Sequence, residues 1–199
     1  MAIQLAEPFD RFAQVFARAQ AELPSNCFPD PNAMSLATVG PGGQPSNRIV
    51  LLKAFDARGF VFYTNYDGRK GSELLANPRC ALCFHWPPIE LQVRIEGRAE
   101  QVEEAEADAY FATRARLSQL GAWASEQSRP VAHAGDLARR VAEFDARFEG
   151  KEVPRPPNWS GFRVVPERIE FWHAGTNRLH DRTVYLRDGE GWKVETLYP

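Results

Sequence analysis

Residues 48–70 read RIVLLKAFDARGFVFYTNYDGRK, and the rest of the chain is interpreted outward from this stretch. Two runs rich in β-branched and aromatic residues, Ile49–Phe55 and Phe60–Asn65, flank the short connection DARG, a composition typical of a β-hairpin. The second run leads into a helix-prone segment that opens with Arg69 and Lys70. The stretch therefore predicts a hairpin whose second strand ends at the N-terminus of a helix.

Four basic residues converge on this hairpin and its exit: Arg48, Lys53, Arg69 and Lys70. A helix N-terminus adds free backbone N–H groups and the positive end of the helix dipole, which favours a phosphate-bearing ligand. The alternative, a surface hairpin that carries cations for solubility, is about equally consistent with this stretch alone. Because a regular strand places Arg48 and Lys53 on opposite faces, a bulge, two separate ligand groups and backbone contacts all remain open.

Composition limits the class of protein. The 199 residues are 44% hydrophobic and 12% aromatic, enough for one domain with a proper core. A net charge of −2 and a pI near 6.1 argue against a nucleic-acid partner and fit a small anionic ligand better. No apolar run approaches a membrane span and no signal-peptide pattern is present, so the expectation is a cytoplasmic protein without a membrane partner.

The cysteines and histidines do not predict a metal site. Cys27, Cys80 and Cys83 are an odd number, and the last two have metal-ligand or redox spacing without a second pair to complete a zinc site. They fall in a predicted strand, where residues three apart point to opposite faces, so two packed thiols are expected. His85, His133 and His173 lack acidic or sulfur partners at ligand spacing, and no metal is predicted.

Hydrophobic periodicity predicts the remaining elements. Predicted helices cover Phe9–Leu23, Ser72–Ala76, Glu103–Thr113, Leu117–Ala124 and Asp136–Phe148. Further predicted strands cover Met34–Val39, Arg79–Trp86, Leu91–Arg98, Gly161–Val165, Arg168–His173, Asp181–Arg187 and Trp192–Leu197. Short strands with antiparallel-type connections, and helices grouped at the start and in the middle, predict a mainly β (α+β) fold, a barrel or sandwich with helical decoration.

Two polar clusters could carry chemistry. Tyr110, Arg114 and Ser118 recur at intervals of four and would form one polar stripe if the helix continued. A phosphate favours a guanidinium with hydroxyls beside it, although an ordinary solvated helix face is the favoured interpretation of this stripe by itself.

The second cluster is Arg178, His180 and Arg182, which would point the same way if the segment were extended. Two arginines beside a histidine form an anion-facing surface with a group that titrates near neutral pH. A functional site is favoured here over a plain surface strand.

Together these residues resemble the pyridoxine/pyridoxamine 5′-phosphate oxidase family over Phe9 to Pro199. The resemblance is carried by the blocks RIVLLK (48–53), FYTN (62–65), RK (69–70), QLGAWASEQS (119–128), GFR (161–163), IEFW (169–172) and RLHDR (178–182). It implies a Greek-key split β-barrel that dimerises with flavin mononucleotide (FMN) at the subunit interface. It also implies one domain over residues 1–199, with a helical excursion at about 103–150 and C-terminal strands 159–199 completing the site.

The resemblance assigns roles by position. Its flavin contacts fall on Arg48, Ile49, Val50, Leu51, Leu52, Lys53, Tyr63, Thr64, Arg69, Lys70, Gln92, Gln127, Ser128, Trp172 and Arg182. Its substrate-phosphate contacts fall on Lys53, Tyr110, Arg114 and Ser118, which makes the polar stripe a candidate site. Arg178 and His180 match the pair over the substrate's pyridine ring and are the expected catalytic residues.

The implied reaction is oxidation of pyridoxine or pyridoxamine 5′-phosphate by oxygen, through FMN, to pyridoxal 5′-phosphate and hydrogen peroxide. Two alternatives are a related flavin oxidase of a reduced phenazine precursor and a non-catalytic flavin- or pyridoxal-phosphate-binding protein. Many relatives carry an Arg and a Tyr ahead of the first helix that close over the substrate. No matching pair precedes Phe9, so the expectation is a substrate lid that is absent or built differently.

Overall fold

The computed structural model describes residues 6–23 and 30–199, so the prediction for Cys27 lies outside the described residues. The helices are α1 (Glu7–Glu22), α2 (Arg69–Ala76), α3 (Glu104–Ala112), α4 (Arg116–Ala124) and α5 (Asp136–Arg147). The strands are β1 (Ala33–Val39), β2 (Pro45–Leu51), β3 (Ala54–Asp56), β4 (Gly59–Asn65), β5 (Arg79–Trp86), β6 (Leu91–Gln101), β7 (Trp159–His173), β8 (Asp181–Asp188) and β9 (Gly191–Thr196). The mainly β class with grouped helices is confirmed.

All the strands join one antiparallel sheet in the order β2-β1-β5-β6-β7-β4-β3, and β8 and β9 extend it from β7. Strand β7 changes neighbours along its length: its first part pairs with β4, and its second part, from Arg168 to His173, pairs with β8. The change coincides with a register shift between Glu96 and Gly97 on β6. A Cβ at Gly97 would lie 2.1 Å from the Val165 carbonyl oxygen, so this close approach requires glycine.

The main core lies inside this sheet and is closed by α1. Phe12, on the apolar face of α1, is fully buried against Phe60 and Phe84, with ring centroids 4.9 Å and 5.1 Å away. A second apolar cluster around Phe111 and Trp159 joins the helical segment to the start of β7. Each aromatic ring buries 150–250 Å², so these two clusters fix the helices against the sheet.

Two strand predictions are corrected. The predicted first arm, Ile49–Phe55, is two strands: β2 pairs with β1, and β3 pairs with β4. Between them the Leu52 amide donates to the Asn32 carbonyl and the Lys53 amide to the Val61 carbonyl, so the chain changes partner there. In contrast, the two strands predicted within 161–173 are one continuous strand, because the irregularity at Pro166 shifts the register without ending the pairing.

The proposed thiol packing on β5 is confirmed: Cys80 and Cys83 are both half-buried, and burial raises the pKa of Cys80 to about 12. Across residues 6–23 and 30–199, every helix falls short of the length or apolar character that a membrane crossing requires.

Candidate active site

A cavity of about 490 Å³ lies where β4, the start of α2 and the helical segment meet. Eleven of the residues predicted to bind ligands line it: Ile49, Val50, Leu51, Lys53, Tyr63, Thr64, Lys70, Tyr110, Arg114, Ser118 and Gln127. They come from segments up to 78 positions apart in sequence. The fold therefore brings together most of the residues that the sequence pointed to separately.

Lys70 is the cation at the centre of one cavity wall. Its Nζ donates to Thr64 Oγ1 at 3.1 Å and to Gln127 Oε1 at 2.8 Å. Burial and then the nearby Arg48 charge lower the pKa of Lys70. Next to it, the Arg69 backbone N–H donates to Ser128 Oγ at 3.2 Å. The loop that carries Gln127 and Ser128 is thus attached to the N-terminus of α2, where an anion is favoured.

The four basic residues of the opening stretch do not converge as predicted. Lys53 and Lys70 line the cavity, whereas the side chains of Arg48 and Arg69 turn to the buried Glu73, with N–O distances of 3.3 Å and 2.9 Å. A regular strand would place Arg48 and Lys53 on opposite faces. They do not share one strand, because Lys53 lies between β2 and β3, where the chain changes its pairing partner. Leu52 is buried and lies outside the cavity wall.

Glu73 was missed by sequence reasoning, although it stands four residues after Arg69, the spacing of a helical ion pair. Burial alone would raise the pKa of its carboxyl, but hydrogen bonds from Ser46, Thr38 and Arg69 lower it to about 2. The two hydroxyls lie at 2.6 Å and 2.5 Å. Glu73 therefore stays ionised and holds both arginines beside the start of α2.

The lowered pKa of Glu73 predicts an acid-dependent loss of stability. Because its folded-state pKa of about 2 lies below the ordinary 4.5, the unfolded chain binds more protons on acidification. The stabilisation should be complete above about pH 4.5 and shrink toward pH 2. Urea unfolding of wild type and Glu73→Gln from pH 7 to pH 3 should show a difference in the free energy of unfolding that narrows as the pH falls.

The control is Glu22→Gln, which removes a carboxylate from an exposed pair with Arg18. A Glu73→Gln difference that stays constant over this range would contradict the prediction.

The continuous helix on which Tyr110, Arg114 and Ser118 would form one stripe is not present; two helices are, as predicted. The helix ends at Ala112 and α4 begins at Arg116. All three side chains nevertheless line the cavity, because the intervening turn keeps them on the same side. Arg114 Nη1 is buried without a hydrogen-bond partner. Since the Arg114 guanidinium makes no hydrogen bond or ion pair with any described residue, its donors fit an anion such as a phosphate in the cavity.

A second group of predicted residues lies on another part of the sheet. Gln92, Trp172 and Arg182 are direct register neighbours on β6, β7 and β8. The His180 ring packs on Trp172 with centroids 4.5 Å apart, and its Nδ1 accepts the Gly175 N–H at 3.2 Å. Because Nδ1 accepts this hydrogen bond, Nε2 is the ring nitrogen that makes no hydrogen bond with any described residue.

The extended conformation that would point Arg178, His180 and Arg182 the same way is not present; the strand begins at Asp181, as predicted. A 3₁₀ turn covers Thr176–Arg178, and Arg178 has a φ of 65°. Arg178 is exposed and makes no ion pair with any described residue. Arg182 turns inward instead, with its Nε 2.9 Å from Glu170 Oε1. Positive φ at a non-glycine residue concentrates at functional turns.

Glu170, also missed from sequence, organises this second group. It is fully buried and pairs with Arg94, Arg168 and Arg182 at 2.5–2.9 Å. Burial would raise the pKa of its carboxyl, but the hydrogen bonds from these arginines lower it to about 2. Glu170 therefore supplies the negative charge that these three arginines share. It lies two residues before Trp172, on the same face of β7.

The two groups of residues are far apart in one protomer. Tyr63 of the cavity is opposite Gly161 on β7, and Trp172 lies eleven residues further along that strand. At about 3.3 Å per residue, this is roughly 36 Å along the strand. None of the residues of the second group lines the cavity, so one chain presents two separate groups of predicted residues. Among the described residues no cluster of three or more His, Cys, Asp or Glu side chains has a metal-binding arrangement.

Comparison with known proteins gives two family matches. Residues 24–173 match the family described as pyridoxamine 5′-phosphate oxidase, and residues 159–199 match the pyridoxine 5′-phosphate oxidase C-terminal dimerisation region. The chain is 60% identical over 193 residues to a pyridoxine/pyridoxamine 5′-phosphate oxidase of Myxococcus xanthus, covering 97% of this chain and 92% of that one.

Two solved structures are similar. PhzG from Burkholderia lata 383, in complex with tetrahydrophenazine-1-carboxylic acid, has a TM-score of 0.88 and 33% identity, covering 96% of this chain and 92% of that one. A pyridoxamine 5′-phosphate oxidase-related, FMN-binding protein from Nostoc punctiforme has a TM-score of 0.74 and 17% identity, covering 94% and 97%. At this lower identity the second likeness concerns the fold, which is the split-barrel fold expected from the sequence.

Proposed function

The chain belongs to the pyridoxamine 5′-phosphate oxidase family, and we propose that it oxidises pyridoxine or pyridoxamine 5′-phosphate to pyridoxal 5′-phosphate. Bound FMN would supply the two-electron redox chemistry for oxidation at the 4′ carbon, with oxygen as the final acceptor and hydrogen peroxide as its product. The alcohol substrate yields the aldehyde directly. The amine yields an imine that water hydrolyses with release of ammonia.

The observation that carries this proposal is the Arg114 guanidinium, which makes no hydrogen bond or ion pair with any described residue, in a cavity that Lys53, Tyr110 and Ser118 also line. A dianionic phosphate matches two cations with neighbouring hydroxyl donors. We assign these four residues to the substrate phosphate. They bind and orient the substrate, which is where a protein contributes most when the cofactor supplies the chemistry.

The residues around Lys70 fit the phosphate of FMN. Lys70, Thr64, Gln127 and the Ser128–Arg69 contact gather at the N-terminus of α2, and Arg48 and Arg69 are held close by Glu73. We propose that this wall holds the FMN phosphate, while Tyr63 and the backbone of Ile49–Leu51 border the rest of the cofactor.

We further propose that two protomers complete each site. The chain carries the family's C-terminal dimerisation region, so it is expected to form a homodimer. In that dimer, the cavity of one protomer would face the second group of residues of the other: Gln92, Trp172, Arg178, His180 and Arg182. This arrangement would explain why five of the twenty predicted residues lie on a separate surface, and why Ile49 on β2 is 60% exposed in a single chain.

The test is direct. The purified protein should be yellow from bound FMN, form dimers, and release peroxide with pyridoxine 5′-phosphate but not with unphosphorylated pyridoxine. Arg114→Leu should raise KM for the phosphorylated substrate by about tenfold or more, since a charged hydrogen bond contributes roughly 1.5–3 kcal/mol. Oxidation of a reduced phenazine carboxylate in preference to pyridoxine 5′-phosphate would overturn the proposal in favour of a PhzG-like activity. Flavin binding without any oxidation would favour a binding protein.

A further inference from the structure

Arg114 is an unusual cation because it is half-buried although no described carboxylate lies within ion-pair distance of it. Its Nη1 has no hydrogen-bond partner, and burial lowers its pKa. A buried charge is normally paired, since transfer out of water costs several kcal/mol. Some other feature must hold the guanidinium at the cavity wall.

That feature is the indole ring of Trp159. The Arg114 Cζ atom lies 4.6 Å from the centroid of this ring, which is itself only 6% exposed. The ring belongs to a stack whose planes are nearly parallel: Tyr63 lies 5.4 Å and Tyr110 6.2 Å from it, each tilted by 6°. Gly161 makes room for the stack, because a Cβ there would come within 2.8 Å of the Tyr63 ring.

An aromatic face and a carboxylate hold a guanidinium in chemically different ways. A carboxylate occupies N–H donors and cancels the charge, whereas an aromatic face attracts the cation and leaves the N–H groups at its edge free. A carboxylate at this wall would also repel an incoming phosphate. The arginines at Glu73 and Glu170 have carboxylate partners, and Arg114 instead has Trp159.

We propose that Trp159 is the positioning residue for the substrate phosphate: its ring holds the Arg114 guanidinium in place while no carboxylate occupies the N–H groups that would donate to a phosphate oxygen. This inference rests on the proposed function and adds to it the device that keeps an uncompensated cation in the cavity. Trp159 acts through Arg114, so its effect should appear in the affinity for the phosphate group and disappear when Arg114 is absent.

The experiment measures binding to the FMN-loaded protein by calorimetry. The probe is 4-deoxypyridoxine 5′-phosphate, which carries the ring and the phosphate but no oxidisable 4′ hydroxyl, and its unphosphorylated form is the ligand control. Trp159→Leu should weaken binding of the probe by about three- to thirty-fold, the range of a cation–π contact that is partly to fully desolvated. Binding of the unphosphorylated form should stay within about twofold, the scatter allowed between independent sites.

A double-mutant cycle separates positioning from general damage. Arg114→Ala should weaken probe binding, and Trp159→Leu added to Arg114→Ala should weaken it little further. Trp123→Leu is the matched control, because Arg147 lies 5.8 Å from that indole and neither residue lines the cavity. Trp159→Phe, which keeps a buried ring with a weaker cation–π attraction, should fall between wild type and Trp159→Leu. It carries the test alone if the leucine variant does not fold.

Several outcomes would overturn the inference: additive effects in the cycle, equal loss for both ligands, or wild-type affinity in Trp159→Phe. If the wild type does not oxidise pyridoxine 5′-phosphate while the Trp159 variants lose affinity for the probe as expected, the proposed function fails and the role of Trp159 stands. If it oxidises the substrate while the Trp159 variants bind the probe unchanged, the function stands and the inference fails.

Discussion

Replacing Glu170 by glutamine should lower the free energy of unfolding by about 3–5 kcal/mol, the range found when one partner of a buried ion pair is removed. Glu170 is fully buried and is the shared anion of Arg94, Arg168 and Arg182. Glutamine keeps the shape, but it removes the charge and turns an N–H₂ group toward guanidinium donors. Urea unfolding at pH 7 measures the loss.

The matched control is Glu96→Gln. Glu96 pairs with Arg168 at 2.7 Å, but its side chain is 54% exposed, so its removal should cost no more than about 1 kcal/mol. Equal losses from the two variants would show that burial of Glu170 contributes nothing. The Glu170 variant should also retain less FMN after dialysis, since Arg182 loses the partner that fixes its orientation; flavin absorbance reports this separately from stability.

Replacing Arg178 by alanine should lower kcat by about 10²–10³, the effect of removing one donor that stabilises developing charge. Flavin content and unfolding should change little, because the exposed Arg178 side chain makes no ion pair with any described residue. The turn that presents it is kept by backbone contacts: the Leu179 N–H donates to the Thr176 carbonyl at 3.0 Å. Single-turnover reduction of the flavin by pyridoxine 5′-phosphate isolates the affected step.

Two further variants sharpen this result. Arg178→Lys retains the charge but not the planar fork of donors, and it should recover only part of kcat. Arg98→Ala removes another exposed arginine, which lies on β6 and belongs to neither group of predicted residues. It should leave turnover unchanged. Normal turnover in Arg178→Ala would remove this residue from the catalytic role, and a parallel loss of FMN would make it a cofactor contact instead.

The sequence was sufficient wherever the structure follows from local periodicity. Strand β5 has the predicted bounds Arg79–Trp86, because its alternation is bounded by proline-containing turns on both sides. The ends of helix α1 and of the last two strands lie within two residues of their predicted positions. Eleven of the residues lining the cavity were predicted, but through the family resemblance; by residue type alone, a solvated helix face was the favoured interpretation of Tyr110, Arg114 and Ser118.

Only the tertiary structure decided which cations remain available to a ligand. Arg48 and Lys53 look alike in the sequence, but Arg48 is paired with Glu73, whereas Lys53 lines the cavity. Trp159 reads as an ordinary core residue until Arg114 is seen above its ring. The physical reason is that hydrophobic periodicity shows only which residues of a single helix or strand are buried. The partner of a buried charge depends on contacts between segments tens of residues apart, which no local pattern encodes.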